Sequence, residues 1–270
     1  MRAKKARANR IVGVVSGKGG VGKSFLSVNI TTLLKRMGKN PLIVDCDLSN
    51  PSVGLHLGLS YGNVGIQEVL MGKNKIGEAV VVQPQTGVRI LPASLKYRPG
   101  IGLKKLKKLL QGMDEYDYIV IDAPPGITED VEHIIDACDD LIIVTTPDIP
   151  SVTSAAKMAD LCKDVGKKVT GILVNRVTDS AYELQNKEIE GMTEIPVLAN
   201  VPEDRNVPES IAARTPIVLY NPSSPAATRI YAAVVTLTGI AIHPTIHAGI
   251  FGRINAFLRR LAGRRPAIPR

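Results

Sequence analysis

Short apolar segments alternate with amphipathic segments along most of the chain. Segments rich in valine, isoleucine and leucine predict strands at 11–15, 42–45, 88–91, 118–122, 141–145, 169–174 and 197–200. Apolar residues at helical spacing predict helices at 24–37, 65–71, 103–111, 128–137, 151–164, 182–189, 207–213 and 226–240. Strands that are apolar throughout and separated by helices are typical of a parallel sheet covered on both faces. The pattern therefore predicts an α/β fold with a doubly wound, mostly parallel sheet, in which ligands bind beyond the carboxyl ends of the strands.

The segment after the first predicted strand carries the most specific chemical signal. It reads Gly17-Lys18-Gly19-Gly20-Val21-Gly22-Lys23-Ser24 and fits the phosphate-loop motif G-x-x-x-x-G-K-[ST] between a strand and a helix. Glycines let backbone N–H groups turn toward phosphates, and the helix start adds its positive dipole end. We expect Lys23 to contact the β- and γ-phosphates and the Ser24 hydroxyl to bind Mg²⁺. The motif predicts a nucleoside triphosphate site.

Two further predicted strands end in an aspartate at the same edge of the sheet, at Asp45 and at Asp122. A lone aspartate in this position more often caps a turn or a helix. Two of them beside a phosphate loop favour a Mg²⁺ site, bound directly or through water. One carboxylate could also orient or deprotonate an attacking water. Segments 47–58 and 124–126 would then respond to the nucleotide as switches.

These segments together resemble the MinD/ParA family of dimerising ATPases, whose deviant phosphate loop has an extra lysine after the first glycine, here Lys18. Segments 45–47 and 55–58 are similar to the family's first switch, and 122–126 is similar to its second switch. Segments 175–176 and 201–207 resemble its adenine-binding positions. Segment 216–226 resembles the MinD branch, including archaeal MinD-like chains. The resemblance covers residues 10–240.

The resemblance implies a homodimer in which two subunits enclose two ATP molecules, with ATP and Mg²⁺ as cofactors. It implies that Lys18 reaches the partner's phosphates, that Asp47 handles the attacking water, and that hydrolysis is slow without an activating partner protein. The resulting catalytic set is Lys18, Lys23 and Asp47, and the metal set is Ser24, Asp45 and Asp122. The nucleotide-binding set is Gly17, Lys18, Gly19, Gly20, Val21, Gly22, Lys23, Ser24, Phe25, Asn175, Arg176, Pro202, Glu203 and Asp204.

The net charge of +9 is concentrated at the two ends of the chain. Residues 1–10 and 253–270 together contain 11 lysines and arginines and no acid, which leaves 23 cations against 25 acids elsewhere. The body of the protein is therefore almost neutral, with a sum of −2. We predict a disordered basic arm at 1–10, an ATPase domain at 11–242, and a linker and tail at 243–270.

The carboxyl-terminal tail has the pattern of a helix that lies on a membrane surface. Six bulky apolar residues fall within an arc of roughly 120° on a helical wheel: Ile250, Phe251, Ile254, Phe257, Leu258 and Leu261. Arginines occupy the other side and acids are absent, whereas a helix docked on its own sheet usually mixes charge signs. Such docking is the alternative. The tail also resembles the membrane-targeting helix of MinD, which implies a cytoplasmic protein attached peripherally to the inner leaflet of the cell membrane.

Three other functions stay open. A ParA-like DNA-partitioning ATPase would contact nucleic acid through a basic surface such as segment 103–110 or the amino-terminal arm. An Mrp-type iron–sulfur carrier ATPase is disfavoured because Cys46, Cys138 and Cys162 form no C-x-x-C pair. A nucleotide-binding scaffold with negligible turnover is the third. The sequence does not identify the partner protein, and it predicts neither a signal peptide nor a membrane-spanning helix.

Overall fold

A computed structural model describes residues 9–59, 64–96, 98 and 100–240. Its strands are β1 (Arg10–Val15), β2 (Pro41–Asp45), β3 (Val81–Val82), β4 (Arg89–Leu91), β5 (Tyr118–Asp122), β6 (Asp140–Thr145), β7 (Val169–Val177) and β8 (Val197–Pro202). Its helices are α1 (Lys23–Arg36), α2 (Val53–His56), α3 (Ile66–Leu70), α4 (Ile76–Ala79), α5 (Leu106–Leu110), α6 (Glu129–Ala137), α7 (Ile149–Asp164), α8 (Asn186–Thr193), α9 (Asn206–Ala212), α10 (Ile217–Tyr220) and α11 (Pro225–Thr238).

The described strands form one sheet in the order β3-β4-β2-β5-β1-β6-β7-β8. All seven predicted strands are present and pair in parallel, which confirms the predicted doubly wound sheet. The exception is β3, which pairs antiparallel with β4 at one edge. The sequence pattern missed β3 because it is only two residues long and both side chains are exposed. The phosphate loop leaves β1 near the middle of the sheet.

Helices cover both faces of the sheet, as predicted. Along β1, Ile11 and Val15 pack into the core beneath α6 and α7, whereas Val12 and Val14 pack into the core beneath α1 and α11. Burying one such side chain contributes about 1.5–3 kcal/mol to folding. Because helices bury both faces of the sheet, nearly every residue of the strands is apolar.

Two helices begin three or more residues later in the structure than predicted, while the boundaries of the other predicted helices agree within two residues. Helix α5 begins at Leu106 and not at 103, because the Leu103 amide donates to the Asp130 carboxylate at 2.6 Å. Helix α8 covers Asn186–Thr193 and not 182–189, because Glu188 accepts from the Gln185 amide at 2.7 Å and fixes the helix start there. The four-residue helices α2, α4 and α10 are too short to give a periodic signal.

Across the part of the chain that the structure describes, every helix is too short or too polar to span a bilayer. The apolar tail residues proposed for membrane contact lie outside the described residues, as do residues 1–8.

Candidate nucleotide site

The phosphate loop connects β1 to α1 through backbone conformations that require glycine. Gly22 precedes α1 with φ of 95°, and a Cβ added there would lie 2.2 Å from Nδ2 of Asn175. A Cβ on Gly17 would lie 2.1 Å from the backbone oxygen of Ser154. Because no side chain caps the start of α1, its first N–H groups are left to bind an anion. The loop is therefore a backbone cradle of the predicted kind.

The two lysines of this loop have different surroundings. Lys23 is only 7% exposed, and burial lowers the pKa of its ammonium group while the charges of Asp122 and Asp47 oppose that shift. The Lys18 side chain is 49% exposed. Its Nζ lies 3.3 Å from Ser151 Oγ and 3.7 Å from Asp148 Oδ1 at the start of α7. Lys23 thus lies inside the site, whereas Lys18 lies on its surface.

Asp122 has a buried oxygen that accepts no hydrogen bond. Its Oδ1 accepts from Ser27 Oγ at 2.9 Å, whereas Oδ2 is buried without a hydrogen-bond partner. Burial raises the pKa of Asp122 to about 6, although the hydroxyls of Ser24 and Ser27 and the charge of Lys23 act in the opposite direction. A buried, unpaired carboxylate oxygen near a serine hydroxyl fits a magnesium ion or its bound water.

Asp45 organises the first switch segment. Its Oδ1 accepts from the Asp47 amide at 3.2 Å, and its Oδ2 accepts from the amides of Ser52 and Val53 at 3.1 Å each. Burial and the charge of Asp122 raise the pKa of Asp45, while these three amides lower it. Both oxygens of Asp45 are therefore engaged by the loop, so in this geometry Asp122 offers the freer oxygen to a metal.

Asp47 is partly buried within that same loop, where its Oδ1 accepts from the Asn50 amide at 2.9 Å. Its charge is close enough to Lys23 and to Asp122 to raise the pKa of both groups. The carboxylate predicted to handle the attacking water is therefore near Lys23, the lysine predicted to contact the phosphates.

A cavity of about 170 Å³ opens next to the phosphate loop. Of the segments that resemble adenine-binding positions, Asn175, Arg176, Pro202, Glu203, Asp204 and Val207 line it, whereas Val201, Arg205 and Asn206 do not; Phe25 of the predicted nucleotide-binding set lines it as well. Asn175 Nδ2 also donates to the Val21 carbonyl at 2.8 Å, which ties the cavity wall to the loop. The predicted set lacked Pro208 and Ile211 on α9, which complete one wall. Ile211 lies one helical turn beyond Val207, so helical spacing is the signal that could have found it.

Large apolar side chains are exposed on connections that follow two strands on each side of β1, at the nucleotide edge of the sheet. Leu55 follows β2, Ile127 follows β5, Ile149 follows β6 and Tyr182 follows β7, with 46% to 96% exposure. The Leu184 amide donates to the Pro147 carbonyl at 2.8 Å, which joins the last two connections. These four side chains therefore border the nucleotide edge of the sheet.

The three thiols have a structural role. Cys46, Cys138 and Cys162 are buried in the core beneath α6 and α7, and burial raises the thiol pKa of each, to about 12 for Cys162. Metal binding needs the thiolate form, which this environment disfavours. Among the described residues, no three or more histidine, cysteine or acidic side chains come together in a cluster that could hold a metal ion without other ligands.

Comparisons with known proteins agree with this geometry. The sequence model of the ParA family, described as NUBPL iron-transfer P-loop NTPase, matches residues 7–238. An uncharacterized ATP-binding protein of Methanocaldococcus jannaschii is 34% identical over 94% of this chain and 97% of its own length. The septum site-determining protein MinD of Pyrococcus horikoshii, solved with Mg-ADP, is 28% identical with a TM-score of 0.78, over 90% of this chain and 98% of its own. MinD in the MinC:MinD complex of Aquifex aeolicus is 27% identical with a TM-score of 0.78, over 87% and 97%.

Proposed function

The chain belongs to the ParA family of P-loop NTPases and is an ATPase, and on this premise we propose that it is a MinD-like switch. Two copies associate when ATP is bound, attach to the cytoplasmic face of the membrane through the carboxyl-terminal tails, and position a partner protein. Hydrolysis separates the copies and releases them from the membrane.

ATP and Mg²⁺ fit the residues of the site. The loop Gly17–Ser24 would hold the phosphates, the cavity beside Asn175 would hold adenine, and Ser24 and Asp122 would hold Mg²⁺. When bound, Mg²⁺ supplies positive charge to the phosphate oxygens. Asp45 fixes the loop that carries Asp47, and the Asp47 carboxylate orients the attacking water and accepts its proton. The solved MinD of Pyrococcus horikoshii with Mg-ADP supports this assignment of cofactors.

The exposed position of Lys18 is the observation that carries the proposal. Lys23 already occupies the interior of the site, whereas the half-exposed Lys18 side chain contacts Ser151 and Asp148 and would exchange these surface contacts for the phosphates of a second subunit. A γ-phosphate adds negative charge that a second cation neutralises strongly in an interface from which water is excluded. The exposed apolar side chains Leu55, Ile127, Ile149 and Tyr182 support an interface on the same edge.

Membrane attachment would depend on dimerisation because one tail binds weakly. A half-buried apolar side chain contributes about 1 kcal/mol and an arginine near an anionic surface about 1 kcal/mol, while ordering the helix offsets much of this gain. Two tails on one dimer raise avidity by roughly 10²-fold or more. ATP binding would therefore control where the protein resides.

The same comparisons and charges support a protein partner and argue against two rival functions. The solved complex of MinC with MinD supports a protein partner for this chain. A body with a charge sum of −2 disfavours DNA partitioning through the folded domain. The buried thiols with raised pKa disfavour the iron transfer named in the family description.

The test measures the molecular mass of the protein in solution with and without a nonhydrolysable ATP analogue. The wild-type chain is expected to double in mass with the analogue, and Lys18→Ala is expected to stay monomeric while its melting temperature is unchanged. Lys104→Ala, at an exposed lysine before α5, is the matched control and should dimerise normally. A Lys18→Ala protein that dimerises like the control would refute the proposal.

For membrane attachment, a chain without residues 249–270 should fail to sediment with vesicles in the presence of the analogue.

A further inference from the structure

A second, smaller cavity lies behind one wall of the base cavity. It measures about 10 Å³, which is room for at most one water molecule. Phe25 of α1 and Ile211 of α9 line both cavities, so these two side chains form a common wall between them. The rest of the smaller cavity is lined from α1, α9 and the start of α10, and by His56 at the end of α2. A residue of the first switch segment, 47–58, therefore packs behind the wall that faces the base.

The His56 ring is neutral in this position. Burial lowers its pKa from the ordinary value of 6.5, and no charged group contributes to that shift. The other residues that line the smaller cavity are all uncharged. At pH 7 and above the imidazole is therefore a packing group, similar in size to a leucine side chain, behind Phe25 and Ile211.

Helix α2 fixes where this ring lies. At the start of the helix, the amides of Ser52 and Val53 donate to Asp45 Oδ2 at 3.1 Å each. The His56 amide donates to the Ser52 carbonyl at 3.1 Å and closes the single helical turn. The next residue, Leu57, is buried in the core that α1 shares with β2 and β4. The loop whose amides bind the Asp45 carboxylate thus also holds the imidazole behind the base wall.

We propose that His56 is a positioning residue for the nucleotide base, through which the first switch segment stabilises the wall formed by Phe25 and Ile211. This inference deepens the proposed function and rests on the base occupying the cavity beside Asn175. Because such coupling is reciprocal, a bound base also stabilises α2 in the position where its amides contact Asp45. The first switch segment therefore contributes to binding of the base and not only to binding of the phosphates.

The experiment compares ATP with inorganic tripolyphosphate, which has the phosphates but no base. Affinities are measured by isothermal titration in the presence of Mg²⁺. His56→Ala leaves space behind the wall, so we expect it to bind ATP roughly 3- to 10-fold more weakly than wild type and to bind tripolyphosphate equally well. His56→Leu fills this space and should restore ATP affinity to near the wild-type value. The rate of hydrolysis at saturating ATP should be unchanged in both variants.

His133→Gln is the matched control. His133 is also partly buried, but it lies on α6, which covers the opposite face of the sheet from α1. This variant should bind ATP and tripolyphosphate like wild type.

A loss of equal size for ATP and tripolyphosphate would overturn the inference, because the effect would then lie at the phosphates or in the fold as a whole. So would a His56→Ala protein that binds ATP like the His133→Gln control, or a His56→Leu protein that binds as weakly as His56→Ala. The wild-type protein separates this result from the proposed function. If wild type binds ATP no more tightly than tripolyphosphate, the cavity does not hold the base and the proposed site is wrong as well. If wild type prefers ATP and His56→Ala keeps the same preference, only the role of His56 is wrong.

Discussion

Asp45 and Asp122 are direct register partners on the adjacent parallel strands β2 and β5. Both are fully buried, and burial raises the pKa of each. Backbone amides of the following loop donate hydrogen bonds to the Asp45 carboxylate, whereas Asp122 keeps one oxygen without a hydrogen bond. Two buried carboxylates side by side are costly without a cation, so this arrangement is stable chiefly when a positive charge is bound.

The first prediction concerns stability against pH in the absence of metal and nucleotide. The pKa of Asp122 is raised to about 6 in the folded protein from 3.8, so the folded state binds more protons between these values. Its contribution to stability is present below pH ~4 and is lost as the pH rises through about 6, with a magnitude on the order of 3 kcal/mol. Asp122→Asn should remove this contribution. Urea unfolding with EDTA at a series of pH values measures the difference between wild type and variant, and a difference that stays constant across this range would contradict the prediction.

The second prediction concerns the phosphate loop. Gly22→Ala forces an alanine to φ of 95° and places its Cβ against Asn175, so we expect a loss of stability of about 2–4 kcal/mol and loss of ATP binding. Gly166→Ala is the matched control, because Gly166 also has positive φ but has open space around its Cβ position. The control should cost only about 1 kcal/mol. Urea unfolding and ATP titration of both variants provide the measurement, and equal losses would show that contact with Asn175 is unimportant.

The third prediction concerns the proton-accepting role of Asp47. Asp47→Asn keeps an oxygen that accepts from the Asn50 amide but cannot accept a proton, whereas Asp47→Ala loses both functions. Both variants should bind ATP and stay in the dimeric form, with turnover reduced by about 10²-fold or more. Phosphate release and dimer lifetime after ATP addition are the readouts. If Asp47→Asn hydrolysed ATP at the wild-type rate, the proposed role of Asp47 in the reaction would be wrong.

The fourth prediction tests the base cavity. Ile211→Ala shortens one wall beside Pro208 and should weaken ATP and ADP binding to the same extent, by roughly 3- to 10-fold. The rate at saturating ATP should be unchanged because Ile211 is not in the phosphate site. Val82→Ala, at an exposed valine on the edge strand β3, is the control. Isothermal titration measures the affinity of each variant for ATP. Equal affinities of the two variants would contradict this placement of the base.

Local motifs predicted the parts of the site that depend on local geometry. The phosphate loop was predictable because its glycines, Lys23 and Ser24 act through adjacent backbone conformations. Asn175 both lines the base cavity and donates to the Val21 carbonyl. This second role was not predictable, because the bond joins positions 154 residues apart. The late start of α5 likewise depends on Asp130, which is 27 residues beyond Leu103. Side chains that bond across elements leave no periodic signal in the sequence, and neither do elements as short as β3 and α2.

The bond between the Arg10 guanidinium and the Leu237 carbonyl has a consequence for synthesis of the protein. The first strand lacks this contact until α11, the last helix among the described residues, has been translated and has left the ribosome. Until then Arg10 lacks one of its partners, and the apolar residues of β1 that face α11 lack their cover. A nascent chain of this protein therefore completes this face of its core late, when α11 packs against β1.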